Sequence, residues 1–192
     1  MAEAADISHG IESITFQTAN TSGETAGQFP DFASGVTTRD FKLIQIDSVT
    51  EDKDDDTVED IMVEEMDDPL LQLTTEKGRK TFNLVSYDLS PESLKYWLGD
   101  KLNETSEDPN NGYYVNNPSF ELPLQAIKIV DKKVAGYAQR QWEYMPVKVI
   151  AKVTGTRGKS GLLTLSLSGT LLGNKDKDGH VIGNYRHKVI SE

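Results

Sequence analysis

Residues 145–170 read MPVKVIAKVTGTRGKSGLLTLSLSGT. Met145, Val147, Val149, Ala151 and Val153 fall on every second position, and Leu163, Leu165 and Leu167 do so again after the polar stretch TRGKS at 156–160. A period of two is that of a strand with one face buried. Thr164, Ser166, Ser168 and Thr170 fill the intervening positions of the second run. The expectation is a long antiparallel hairpin with one apolar face and one face of small hydroxyl side chains. The hydroxyl face is open to two readings, the solvated side of a sheet or a flat surface that meets another subunit.

Other strands flank this hairpin. Residues 11–18 (IESITFQT) are β-branched and aromatic, as a short strand is. Residues 19–35 have no period and contain Phe29, Pro30, Asp31 and Phe32, which predicts a long loop of the kind that is either disordered or functional. Residues 41–49 and 57–66 are strand candidates on either side of EDKDDD at 51–56, which reads as a hairpin tip or broad loop. Residues 70–75 and 80–87 are further strands, separated by the turn signal Lys77-Gly78. Residues 120–130 alternate from Phe120 to Ala126 and then switch parity at Ile127, which predicts a bulge, and Pro123 predicts an edge.

One helix is expected. Ser90 can accept a bond from a free backbone N–H, Pro91 suits the first helical position, and Glu92 suits the positive end. Leu94, Trp97, Leu98 and Leu102 share a face, and Gly99 is a left-handed stop after about two turns. Eight to ten strands and one helix make a mainly β, or β-rich α+β, chain: an antiparallel sandwich or barrel with one flanking helix and long extended arms. It reads as a single domain over 1–192, with a flexible N-terminus at 1–10, a loop or arm at 19–35 and an acidic hairpin loop at 51–60.

Charge and composition narrow the function. The net charge is -11, and residues 51–68 hold eleven acids and one Lys, so the rest of the chain is close to neutral. No basic field of comparable density exists, which argues against a nucleic-acid binder. Absence of Cys removes thiolate metal sites, disulfides and cysteine nucleophiles. No apolar run approaches the roughly 18 residues of a membrane helix, and residues 1–10 have no basic or apolar stretch of a secretory leader. His9, His180 and His187 belong to no catalytic motif and are expected at the surface, so no enzyme activity and no cofactor are expected. Asn174, Asp176, Asp178 and Gly179 imitate half of a calcium loop, but Tyr185 stands where its closing Glu would be, and a β-turn is expected instead. Gly158-Lys159-Ser160 lacks the spacing of a phosphate loop and is expected to be a hairpin turn.

The passage Glu76-Lys77-Gly78 to Phe82, then Tyr87 through Ser90-Pro91-Glu92-Ser93-Leu94 to Trp97-Leu98-Gly99, resembles the strand-to-helix passage of bacteriophage major tail tube proteins. The late hairpin, residues 142–170, is similar to the second half of the same family, which shares its fold with type VI secretion tubes. The resemblance implies a structural virion protein: hexameric rings in which hairpins close an inner barrel, stacked into a tube for DNA ejection. It also implies partners such as a tape measure and a tail terminator, no membrane, and assembly in the host cytoplasm into the virion tail. A negative lumen lets DNA slide, because it repels phosphate, so Asp54, Asp55 and Asp56 are candidate lumen-facing residues. A solvated loop that keeps subunits soluble is the other reading of that run. Phe29 and Phe32 are candidate anchors of an inter-ring arm expected to order on stacking. A monomeric β-sandwich module that binds carbohydrate or a protein partner is the alternative for the whole chain.

Overall fold

The computed structural model describes residues 10–32, 38–62, 71–159 and 161–190. The strands, in chain order, are β1 (Ile11–Thr18), β2 (Thr38–Asp40), β3 (Thr50–Lys53), β4 (Thr57–Ile61), β5 (Leu71–Glu76) and β6 (Lys80–Ser86). After the helix α1 (Pro91–Leu98) come β7 (Lys101–Leu102), β8 (Tyr114–Val115), β9 (Gln125–Asp131), β10 (Gln139–Gly158) and β11 (Gly161–Leu171). β12 (Asn174–Lys175), β13 (Val181–Ile182) and β14 (Tyr185–Ile190) complete the series. The fold is mainly β with one flanking helix, as the alternation and the single helix signal predict.

The principal sheet is antiparallel in the order β2-β1-β9-β10-β11-β6-β3, with β14 added to the side of β10. β10 is the spine. Its first part pairs with both β9 and β14, and from Val147 it pairs with β11. Val147, Val149, Leu165 and Leu167 are buried on one face, while Lys148 and Ile150 are exposed on the other. Phe16 and Ile14 of β1, Ile127 and Ile129 of β9, and Phe82 and Leu84 of β6 complete this core. Ala19, Ala126 and Met145 form a second, smaller cluster.

The helix closes one side. Ser90 Oγ accepts from Ser93 N at 3.3 Å, Pro91 opens the first turn, and Gly99 ends it at φ 74 with its N–H on Lys95 O. A Cβ at Gly99 would lie 2.2 Å from the Phe120 ring, so both the left-handed backbone and the close approach require glycine. Trp97 is buried against Phe16, Phe41 and Tyr96.

Asp88 anchors the helix start. Its carboxylate accepts from Ser93 Oγ and, at 3.1 Å, from Ser90 N, with Arg39 Nη2 at 3.9 Å. Burial disfavours the charged form, but the bonds from Ser93 and Ser90 and the Arg39 charge outweigh it and hold Asp88 below the usual carboxylate range. A depressed folded-state pKa contributes stability above the unfolded value of about 3.9, lost as pH falls through the folded value. Asp88→Asn is therefore expected to lower stability at neutral pH by about 1–3 kcal/mol. Urea titrations should also show the variant losing less than the wild-type chain between pH 5 and pH 2.

Three expectations need correction. Residues 41–49 are not a strand: Leu43 and Asp47 take φ of 51 and 56, and the segment crosses the sheet end through a single Ile44–Ser86 bridge. Strand structure begins at Gln125 rather than at Phe120. The acidic run is not a hairpin tip either. Glu51 and Asp52 lie in β3, Glu59 and Asp60 in β4, and only 54–56 form a bend, with β6 and β5 supplying the hydrogen-bond partners. The rest of the 57–66 strand candidate, residues 63–66, lies outside the described residues, as do 1–9 of the expected N-terminal segment.

Candidate assembly surface

Strands whose backbone groups lack a partner are the reactive parts of a β protein. Among the described residues, β10 from 148 to 158 pairs with β11 alone, and β3 is the last strand on the opposite side of the same sheet. The four strands β10, β11, β6 and β3 therefore form a ribbon with two open edges. At about 3.3 Å per residue, the 20-residue β10 runs on the order of 60 Å. Its distal half carries Ile150, Val153 and, across the turn, Leu162, all exposed.

The two edges differ in charge. Lys148, Lys152 and Arg157 lie along the β10 edge, whereas β3 carries Glu51, Asp52 and Lys53, the last paired with Asp56 at 3.3 Å. Between them the non-core face is polar and small. Thr154 Oγ1 sits 3.2 Å from Thr164 Oγ1 and 3.0 Å from Ser166 Oγ, and Asn83 Nδ2 donates to Thr50 Oγ1 at 3.3 Å. Glu51, by contrast, turns toward the core. It accepts from the Tyr144 hydroxyl at 2.9 and 3.0 Å and pairs with Lys80. Burial, and then the Glu51 charge, push the Tyr144 hydroxyl pKa upward, so Tyr144 stays a donor at any ordinary pH.

Asp54, Asp55 and Asp56 form the bend between β3 and β4, pinned against residues 77–79. Asp54 N donates to Arg79 O at 3.0 Å, and the Asp56 carboxylate accepts from Gly78 N at 2.8 Å and Lys53 Nζ at 3.3 Å. The Gly78 N–H, then Lys53, lower the Asp56 pKa. A Cβ at Gly78 would lie 1.6 Å from Asp54 O, so the bend depends on glycine there.

Phe29 and Phe32 pack beside Ala19, Ala126 and Met145, with Arg186 4.6 Å from the Phe29 ring centre and Lys128 5.2 Å from that of Phe32. Asn174, buried, donates to Gly27 O and Gly183 O at 3.0 Å each and ties this loop to β12 and β13. Residues 19–32 are thus part of one subunit's own packing; 33–35 of the expected arm lie outside the described residues.

The chain matches no protein-family model and no curated protein.

The turn at 176–180 and the His187 ring have structural partners. Asp176 Oδ1 accepts from Asp178 N and His180 N, its Oδ2 lies 3.1 Å from His180 Nδ1, and Gly179 at φ 86 closes the turn, as the sequence predicts. His187 stacks on Trp142 with ring centres 4.7 Å apart, and His9 lies outside the described residues. Beside α1, an apolar groove of about 450 Å³ is lined by Arg39, Lys95, Tyr96, Phe120, Leu122 and Pro123. Among the described residues no helix is long and apolar enough to cross a membrane. The open edges and their charges were not visible in the sequence, because they depend on which strands neighbour which.

Proposed function

We propose that the chain is a structural subunit that joins its own copies edge to edge, closing into rings that stack as a tube of the phage tail tube kind. The observation that carries this is the four-stranded ribbon whose open edges bear opposite charge on the non-core face, Lys148 and Lys152 on β10 and Asp52 on β3, where the neighbouring Lys53 is paired with Asp56. One edge fits the other edge of the next copy and not its own twin, because like charges directly opposite across strands are destabilising. Such head-to-tail contacts generate rings when the rotation closes. The resemblance of residues 76–99 and 142–170 to tail tube proteins supports the hexameric, DNA-conducting form of this assembly, with no catalytic step. A second reading, a monomeric binding module, has the apolar groove beside α1 in its favour. Light scattering and negative-stain microscopy at rising protein concentration separate the two. Rings or rods are expected; a 21.3 kDa particle at every concentration would remove the proposal.

A further inference from the structure

The paired strands β3–β4 and β5–β6 form a hairpin bent into two halves that face different surroundings. β3 belongs to the principal sheet, but beyond the bend at 54–56, β4 and β5 pair only with each other among the described residues. Every residue of both strands is exposed, including Val58, Ile61, Leu71 and Leu73. A two-stranded ribbon with its apolar side chains in water is marginal by itself and gains from a third strand.

β14 is also open. It pairs with β10 alone, its outer edge meets no strand among the described residues, and its sequence is YRHKVI. Tyr185 and Val189 are exposed, and Arg186, His187 and Lys188 lie between them. β4, with the sequence TVEDI, carries Glu59 and Asp60 next to Val58. An antiparallel register that sets Glu59 opposite Lys188 also sets Asp60 opposite His187 and Val58 opposite Val189. Glu59 with Lys188 is then matched in charge, and Val58 with Val189 in apolar character. Two β4 edges would oppose acid to acid, and two β14 edges base to base.

We propose that the outer edge of β4 adds to the outer edge of β14 of another copy, as a contact separate from the one that closes a ring. This rests on the self-assembly reading and assigns it a second interface. The bend at Asp54, Asp55 and Asp56, held by Gly78, turns the hairpin so that β3 addresses one neighbour and β4 another. Within a stack, the neighbour reached by β4 belongs to the adjoining ring.

The chain contains no Cys, so introduced thiols report contacts cleanly. Val58→Cys and Val189→Cys, made in separate chains and mixed under oxidising conditions at assembling concentration, should give a two-chain disulfide product. Val58→Cys mixed with Thr105→Cys, which lies in an exposed loop, should not. In parallel, Glu59→Lys with Asp60→Lys should leave rings but raise the concentration needed for rods about tenfold or more. Combining these with Lys188→Glu on the same chain should restore part of that loss, an effect a folding defect would not produce. If wild-type chains form rods while the thiols do not cross-link and the reversed acids have no effect, this contact is wrong and the ring reading stands. Should the wild-type chain never assemble, both fall together.

Discussion

Trp97→Ala is expected to reduce the stability of the subunit by about 3–5 kcal/mol, the usual cost of emptying a large aromatic site in a core. Trp97 is 3% exposed, and Phe16, Phe41 and Tyr96 meet it edge to face at 4.9, 6.3 and 4.8 Å between ring centres. These pairs join β1, the crossing segment and α1 at one point. α1 has only eight residues, too few to persist in water on propensity alone, so this packing is what keeps it formed. Against a total of roughly 5–15 kcal/mol for a domain, the loss is large. Urea unfolding should show a much lower midpoint, and Trp97→Phe should recover most of it because the ring contacts persist. A loss below about 1 kcal/mol would mean that α1 is not part of the core, contrary to the burial that defines it.

The parts of this fold that were legible in the sequence are those fixed by local chemistry. Ser90, Pro91 and Gly99 act within one or two turns of the helix they bound, so their identities alone place its ends. β1 was legible from its β-branched and aromatic residues, and the β10–β11 hairpin because a half-buried strand imposes its period of two on Val147, Val149, Leu165 and Leu167. Residues 41–49 misled for the same reason in reverse. FKLIQIDSV carries strand-forming side chains, but Leu43 and Asp47 adopt left-handed backbone where the segment crosses to meet Ser86 and Val85. Glu51 and Asp52 were read as loop because acids are poor strand formers, whereas the strand expected from residue 57 is β4. At an edge, however, β6 supplies the ladder, Asp52 remains in water and Glu51 finds Tyr144 and Lys80, so propensity yields to context. Phe29 and Phe32 could not be placed from sequence, because the bonds that hold their loop come from Asn174, 147 residues from Gly27. The open edges share this character: an edge is defined by an absent neighbour, which depends on the order of the whole sheet.

Reversing the charge of the β10 edge should separate folding from assembly. Lys148 and Lys152 are exposed on the non-core face, and the ion pair of Lys148 with Glu121 at 3.5 Å is open to solvent. Exposed pairs of this kind contribute about 0–1 kcal/mol, so Lys148→Glu with Lys152→Glu should leave the urea midpoint of the lone subunit nearly unchanged. Assembly should respond very differently. In a ring closed by β10 against β3, a reversed residue opposite Asp52 of the next copy sets acid against acid, and the neighbouring apolar Ile150 is held away from its contact. A loss of about 2 kcal/mol per interface corresponds to a roughly 30-fold higher concentration at the onset of assembly. Because the edge charges are solvent-exposed, the wild-type onset should itself rise with added salt, while the reversed subunit should show the opposite trend as its repulsion is screened. Asp52→Lys placed on the reversed chain restores unlike charges across the edge and should bring the onset back toward the wild-type value. Assembly by the reversed subunit at the wild-type concentration would locate ring closure at some other pair of surfaces.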